Sequence, residues 1–145
     1  MEGTICIPST REYAQLIDVW EASVRATHDF LKEEDIIYYK RLMPSYLPAV
    51  RLKGIRNSGG RIIAFIGLHE DKIEMLFIHP DERGKGLGRT LVSHAIERFH
   101  IRMVDVNEQN AQATGFYLRM GFHMTGRSET DDNGKPYPIL HLELP

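Results

Sequence analysis

Apolar residues recur along this chain with two periods, and each change of period marks a predicted element. A short alternation predicts a strand over 4–7, which Pro8 stops. Ser9, with Glu12 three residues on, reads as a capping box, so a helix starts there. Tyr13, Leu16, Ile17, Trp20 and Val24 follow at helical spacing and define its core face. A second helix is predicted over 33–43, because Pro44 disturbs continuation and Pro48 bars further extension. Strands over 50–56 and 61–68 flank Asn57-Ser58-Gly59-Gly60, a cluster suited to the positive φ of a hairpin.

After the turn at Glu70-Asp71-Lys72, an apolar strand over 73–78 runs through His79-Pro80 into a glycine-rich loop and straight on into a helix. That helix carries Leu87, Leu91, Ala95, Ile96 and Phe99 on one side, which predicts packing against a sheet. A strand over 102–106 comes next, then a helix over 110–120 that ends at Gly121, a residue able to take the left-handed cap conformation. Two last strands, over 122–130 and 137–144, flank Asp131-Asp132-Asn133-Gly134. The section from 73 to 106 reads as a right-handed parallel crossover, and the rest as mostly antiparallel. The fold class expected is therefore α/β, a mixed sheet with helices on both faces in the order β-α-α-β-β-β-α-β-α-β-β.

With 145 residues, 42% of them hydrophobic and 26% charged, the chain is expected to form a single domain over 1–145 with its own core. A net charge of −2 supplies no basic field, so no nucleic-acid partner is expected and a ligand must be sought locally. The amino-terminal stretch holds neither a charged leader followed by an apolar core nor a long apolar run, which predicts cytoplasmic residence and no membrane association. The lone Cys6 reads as a packed strand residue, and the scattered histidines predict no metal site.

The loop Arg83-Gly84-Lys85-Gly86-Leu87-Gly88 is where the chemistry concentrates. Glycines at alternating positions let the backbone turn its N–H groups towards one point, and the start of the following helix adds a fixed partial positive charge there. Arg83, Lys85 and Arg89 add side-chain charge. The sequence lacks the nucleoside-triphosphate pattern Gly-x-x-x-x-Gly-Lys-Ser/Thr, and Arg89 stands where the dinucleotide pattern requires glycine. What remains is Arg-x-x-Gly-x-Gly, met by Arg83, Gly86 and Gly88, which by itself also suits an ordinary tight turn.

This stretch, 73–88, resembles the acyl-coenzyme A signature of the GNAT superfamily of N-acetyltransferases, in which a strand runs into His/Asp-Pro and then Arg/Gln-x-x-Gly-x-Gly/Ala. A second block, from Asn110 and Ala113 through Phe116-Tyr117 to Gly121-Phe122, is similar to the family's Asn-x-x-Ala-x-x-Phe-Tyr-x-x-x-Gly-Phe, in the same order and spacing. The predicted element order matches the family's fold over nearly the whole chain.

The resemblance implies acetyl-coenzyme A as co-substrate and, as acceptor, a primary amine of a small metabolite, a peptide terminus or a lysine. With no glycine-flanked serine elbow and a single cysteine, direct transfer in a ternary complex is expected. It implies that backbone amides of Arg83, Gly84, Lys85, Gly86, Leu87, Gly88 and Arg89 bind the pyrophosphate, and that the peptide groups of Leu76 and Ile78 pair with the pantetheine arm. The Leu76 N–H is the donor expected to stabilise the developing oxyanion, while Phe77 points the other way into the core. Tyr117 matches the family's tyrosine, and a phenol with a pKa of about 10 keeps a proton to give the departing thiolate, although a tyrosine there also packs well on a sheet.

An alkylammonium of pKa about 10.4 needs a base before it can attack. Glu74, on the strand carrying the acetyl group, is the first candidate, and an exposed strand glutamate with no role is the alternative. His28, Asp29 and Glu108 are the reserves, and the His28-Asp29 pair at a helix boundary reads first as capping and turn chemistry. Asn110 is expected to hydrogen-bond the pantetheine arm, to cap its helix, or both. A monomer and a homodimer both remain open, as does a module that binds acyl-coenzyme A without turnover.

Overall fold

The computed structural model describes residues 4–145. Its centre is a seven-stranded sheet in the order β1-β2-β3-β4-β5-β7-β6, with β1 at Ile5–Cys6, β2 at Arg51–Arg56, β3 at Ile62–His69, β4 at Lys72–Ile78, β5 at Met103–Asn107, β6 at His123–Ser128 and β7 at Ile139–Glu143. Every neighbouring pair is antiparallel except β4 with β5, which helix α3 (Leu87–Phe99) connects. The other helices are α1 (Tyr13–Thr27), α2 (Glu33–Tyr46) and α4 (Ala111–Arg119). The mixed α/β architecture is the one the sequence predicts.

Two apolar clusters divide the sheet's faces. On one side Leu87, Leu91, Val92 and Ala95 of α3 and Tyr117 of α4 pack against Ile66, Ile73, Val104 and Leu142. On the other, Leu16, Val19, Trp20 and Val24 of α1, with Ile36 and Met43 of α2, cover Leu52, Ile62 and Phe65. Each large side chain taken fully out of water contributes about 1.5–3 kcal/mol, so these two seams set how the helices sit.

The chain enters α1 through a 3-10 turn over Thr10–Glu12, where Glu12 accepts the Ser9 N–H (3.0 Å) and also holds Arg56 of β2 through two contacts of 2.7 and 3.0 Å. Helix α2 departs from expectation: it passes through Pro44 and ends only at Tyr46. A proline removes one N–H and crowds the carbonyl four residues back. Burial of Met43 before it and Leu47 after it holds the helical path all the same. The last two strands are shorter than predicted, ending at Ser128 and starting at Ile139, because residues between them fold onto α2. Tyr137 donates to Asp35, Lys135 lies 3.0 Å from the same carboxylate, and Tyr39 donates to Asp131.

Cys6 is half-buried with its thiol pushed up by that burial, which suits packing. Among the described residues no helix is long and apolar enough to cross a membrane.

Candidate functional site

β4 and β5 share only the pairs Lys72 with Met103 and Ile73 with Val104, and beyond these the strands part. A cleft of about 610 Å³ is lined by both strands where they diverge and by the glycine loop. The open edge of β4 can be read from its hydrogen bonding. His79 donates to Ile63 on β3 at 2.9 Å, and peptide groups alternate sides along a strand. Those of Phe77 therefore face β3, and those of Leu76 and Ile78 face the cleft. The Phe77 ring packs on Phe65, with centroids 5.7 Å apart.

Glu74 owes its position to a bulge. Leu68 opposes Ile73 while Gly67 opposes Met75, so Glu74 is an extra residue on β4. The bulge resets the alternation, turning Leu76 and Ile78 to the α3 side and Met75 and Phe77 to the α1 side. Glu74 itself is exposed.

In the loop, Gly84 and Gly86 have φ of 78° and 76°, a region that side chains with a Cβ disfavour. Gly86 is the N-cap of α3 and offers no side-chain cap, and the first helical bond runs from Thr90 to the Gly86 carbonyl (3.0 Å). The N–H groups of Leu87, Gly88 and Arg89 are left without partners inside the helix. Gly88 permits close packing: a Cβ there would lie 3.4 Å from Phe116. Arg83, Arg89 and Arg119 line the same cleft, and this donor set suits a diphosphate. Lys85 is not among the lining residues, and its ammonium is 2.6 Å from Glu82.

Tyr117 is 5% exposed and sits between Phe116 and Phe122, with ring centroids 5.1 and 5.6 Å away. Burial pushes its phenol well above the ordinary range. No sealed, unpaired side-chain oxygen occurs among the described residues, so this hydroxyl opens to the cleft it lines. Asn110 caps α4 by accepting the Ala113 N–H (3.1 Å), which leaves its amide nitrogen 3.5 Å from His28 Nε2.

A second cavity of about 550 Å³ lies on the α1 side of the sheet, walled by Trp20, Tyr39, Phe77 and Tyr137. Glu74, Asp131 and Asp132 line it, and among the described residues no lysine or arginine does. His28, Glu74, Met75, Phe77 and Asn107 line both cavities and form the seam between them. Of the reserve bases, Glu108 is drawn away by Arg127 (2.5 Å) and Asp29 lines neither cavity. Arg119 and Asn107 were not singled out by the sequence. Arg119 reads as an ordinary basic residue at a helix end, and Asn107 as the end of a strand.

A strand edge freed by a splay, an uncapped helix start beside it and a buried tyrosine open to the gap define an acyl-coenzyme A transferase arrangement. Residues 52–140 match the family described as "Acetyltransferase (GNAT) domain", and the chain belongs to that family, whose acyl donor is acetyl-coenzyme A. It is 46% identical over 131 residues to "Peptidyl-lysine N-acetyltransferase YjaB" of Escherichia coli (strain K12), covering 90% of this chain and 89% of that one. The solution structure of apo-form YjaB from Escherichia coli superposes with a TM-score of 0.89 at 44% identity, over 97% of this chain and 95% of that one. The PaiA N-acetyltransferase of Thermoplasma acidophilum, crystallised with coenzyme A, shares the fold at 21% identity, with a TM-score of 0.72 and coverage of 97% and 98%.

Proposed function

We propose that this protein acts in the cytoplasm as a single-domain enzyme that moves the acetyl group of acetyl-coenzyme A directly to a peptide lysine. The observation that carries the reading is the meeting of two cavities of opposite character. In the first, Arg83, Arg89 and Arg119 stand beside Glu82 and Asp105, each of which is paired with a lysine (2.6 and 2.5 Å), and in the second Glu74, Asp131 and Asp132 stand among aromatic rings with no lysine or arginine among the described residues; the two join at the seam. An anion and an amine brought in from opposite sides meet there, which supports a ternary complex. The lysine acceptor rests on the relative named a peptidyl-lysine N-acetyltransferase.

In this reading the loop amides from Arg83 to Arg89 and the arginines hold the diphosphate, Asn110 and the peptide groups of Leu76 and Ile78 hold the arm, and the Leu76 N–H polarises the carbonyl. Glu74, exposed to both cavities, draws the ammonium in and takes its first proton, directly or through water. Tyr117 stays protonated at neutral pH and donates to the departing sulfur. Incubation with acetyl-coenzyme A and a lysine peptide tests the reading: thiol release matched by a peptide mass gain supports it. Tight coenzyme A binding without release would make the protein a sensing module.

A further inference from the structure

Acetylation takes an alkylammonium with three N–H bonds to an amide with one, so two protons must leave the nitrogen. One leaves before attack, to free the lone pair, and Glu74 takes it in the reading above. The other leaves after the C–N bond has formed, and it too needs an acceptor within reach of the same nitrogen. Of the five residues that line both cavities, only Glu74 and His28 can accept a proton; Met75, Phe77 and Asn107 cannot.

The hydrogen bonds around His28 settle which of its nitrogens is free. Thr27 Oγ1 donates its one proton to the Ser23 carbonyl at 2.8 Å. Towards His28 Nδ1, 2.7 Å away, that hydroxyl can then act only as an acceptor, so Nδ1 carries the ring proton. Nε2 is left with its lone pair. Asn110 faces it with an amide N–H at 3.5 Å, too long to compete with a closer donor. The Phe30 ring, 5.2 Å away, and the helix end hold the imidazole in place, since the His28 N–H also closes α1 on Val24 at 2.7 Å.

We propose, on the basis of the acetyl-transfer reading above, that His28 Nε2 accepts the second proton from the acceptor nitrogen once the C–N bond exists. The amine lone pair forms that bond as the carbonyl π electrons move to oxygen. The N–H bond then breaks with its electrons staying on nitrogen, and the proton passes to Nε2. As the carbonyl re-forms, the C–S bond breaks, and the thiolate takes the Tyr117 proton. The imidazolium returns a proton through solvent to the phenolate and Glu74 releases its proton to water, so all three groups end as they began. Burial pushes His28 down to about 4, with Asp29 opposing, so at neutral pH the ring is uncharged and its lone pair available. Nitrogen bonded to the tetrahedral carbon is a stronger acid than a free alkylammonium of pKa about 10.4, which lowers the basicity this step demands.

Chemical rescue tests this. His28→Ala empties a space open to both cavities, into which free imidazole can diffuse. With wild type, His28→Ala and His28→Gln compared on acetyl-coenzyme A and a lysine peptide, kcat is expected to fall about 10²-fold in both variants with acetyl-coenzyme A affinity unchanged. Added imidazole should restore the alanine variant saturably, with substituted imidazoles ranking by basicity, and should leave the glutamine variant low. Near-wild-type kcat in either variant overturns the proposal, as does an alanine variant that no imidazole restores. Should the alanine variant fail to fold, the glutamine variant decides: kcat lost at unchanged KM supports the role, and kcat within about threefold overturns it. An inactive wild type sinks the acetyl-transfer reading itself, a result distinct from either.

Discussion

Ile73 and Val104 form the last pair of the parallel ladder between β4 and β5. One residue further on, the bulge at Glu74 shifts the phase of β4 and presents the Leu76 and Ile78 peptide groups to the gap. Those groups would be a liability if buried unpaired, since each costs about 1–3 kcal/mol. An extended, amide-bearing ligand satisfies them as another strand would.

Tyr117→Phe removes the proton donor and keeps the ring contacts with Phe116 and Phe122. Turnover should fall about 10²-fold while acetyl-coenzyme A affinity stays put, read by steady-state rates alongside calorimetry. Equal turnover would take Tyr117 out of the mechanism.

Gly86→Val forces a β-branched residue into a backbone with φ of 76°, at the N-cap whose neighbouring amides face the cleft. The left-handed conformation costs roughly 1–2 kcal/mol, and the side chain obstructs approach of the phosphates. Coenzyme A affinity should weaken about tenfold or more, and undiminished binding would reject the loop assignment.

The half-buried, neutral His28 makes stability depend on acidity. The unfolded chain protonates near its ordinary value of about 6.5 and the folded one only near about 4, so between these the unfolded state binds more protons. Stability therefore declines as pH drops below about 6.5 and levels off below about 4. Denaturant unfolding at pH 7 and pH 5 should show a loss for wild type that exceeds that of His28→Gln by about 1–2 kcal/mol. Identical losses would mean that the ring is not held neutral.

Tyr137→Phe tests the attachment of the β6–β7 connection to α2. Asp35, 8% exposed, accepts from Tyr137 and keeps its contact with Lys135 (3.0 Å) once the hydroxyl is gone. A hydrogen bond to a charged group is worth about 1.5–3 kcal/mol, so the unfolding midpoint should drop accordingly. An unchanged midpoint would show that the connection is held by other contacts.

Short-range chemistry was legible without any structure. The glycines that tolerate positive φ, the apolar faces of α1 and α3, and the asparagine that caps α4 are each specified within a few residues, because turns, caps and amphipathic stripes are local. Pro44 misled for a related reason: its local cost was plain, while the burial of Met43 and Leu47 that outweighs it comes from distant parts of the chain. The bulge that frees Glu74 and the arrival of His28 beside Asn110 across 82 residues were decided only in three dimensions. Register, pairing and the meeting of two cavities depend on which surfaces exclude water together, and no window along the sequence contains that information.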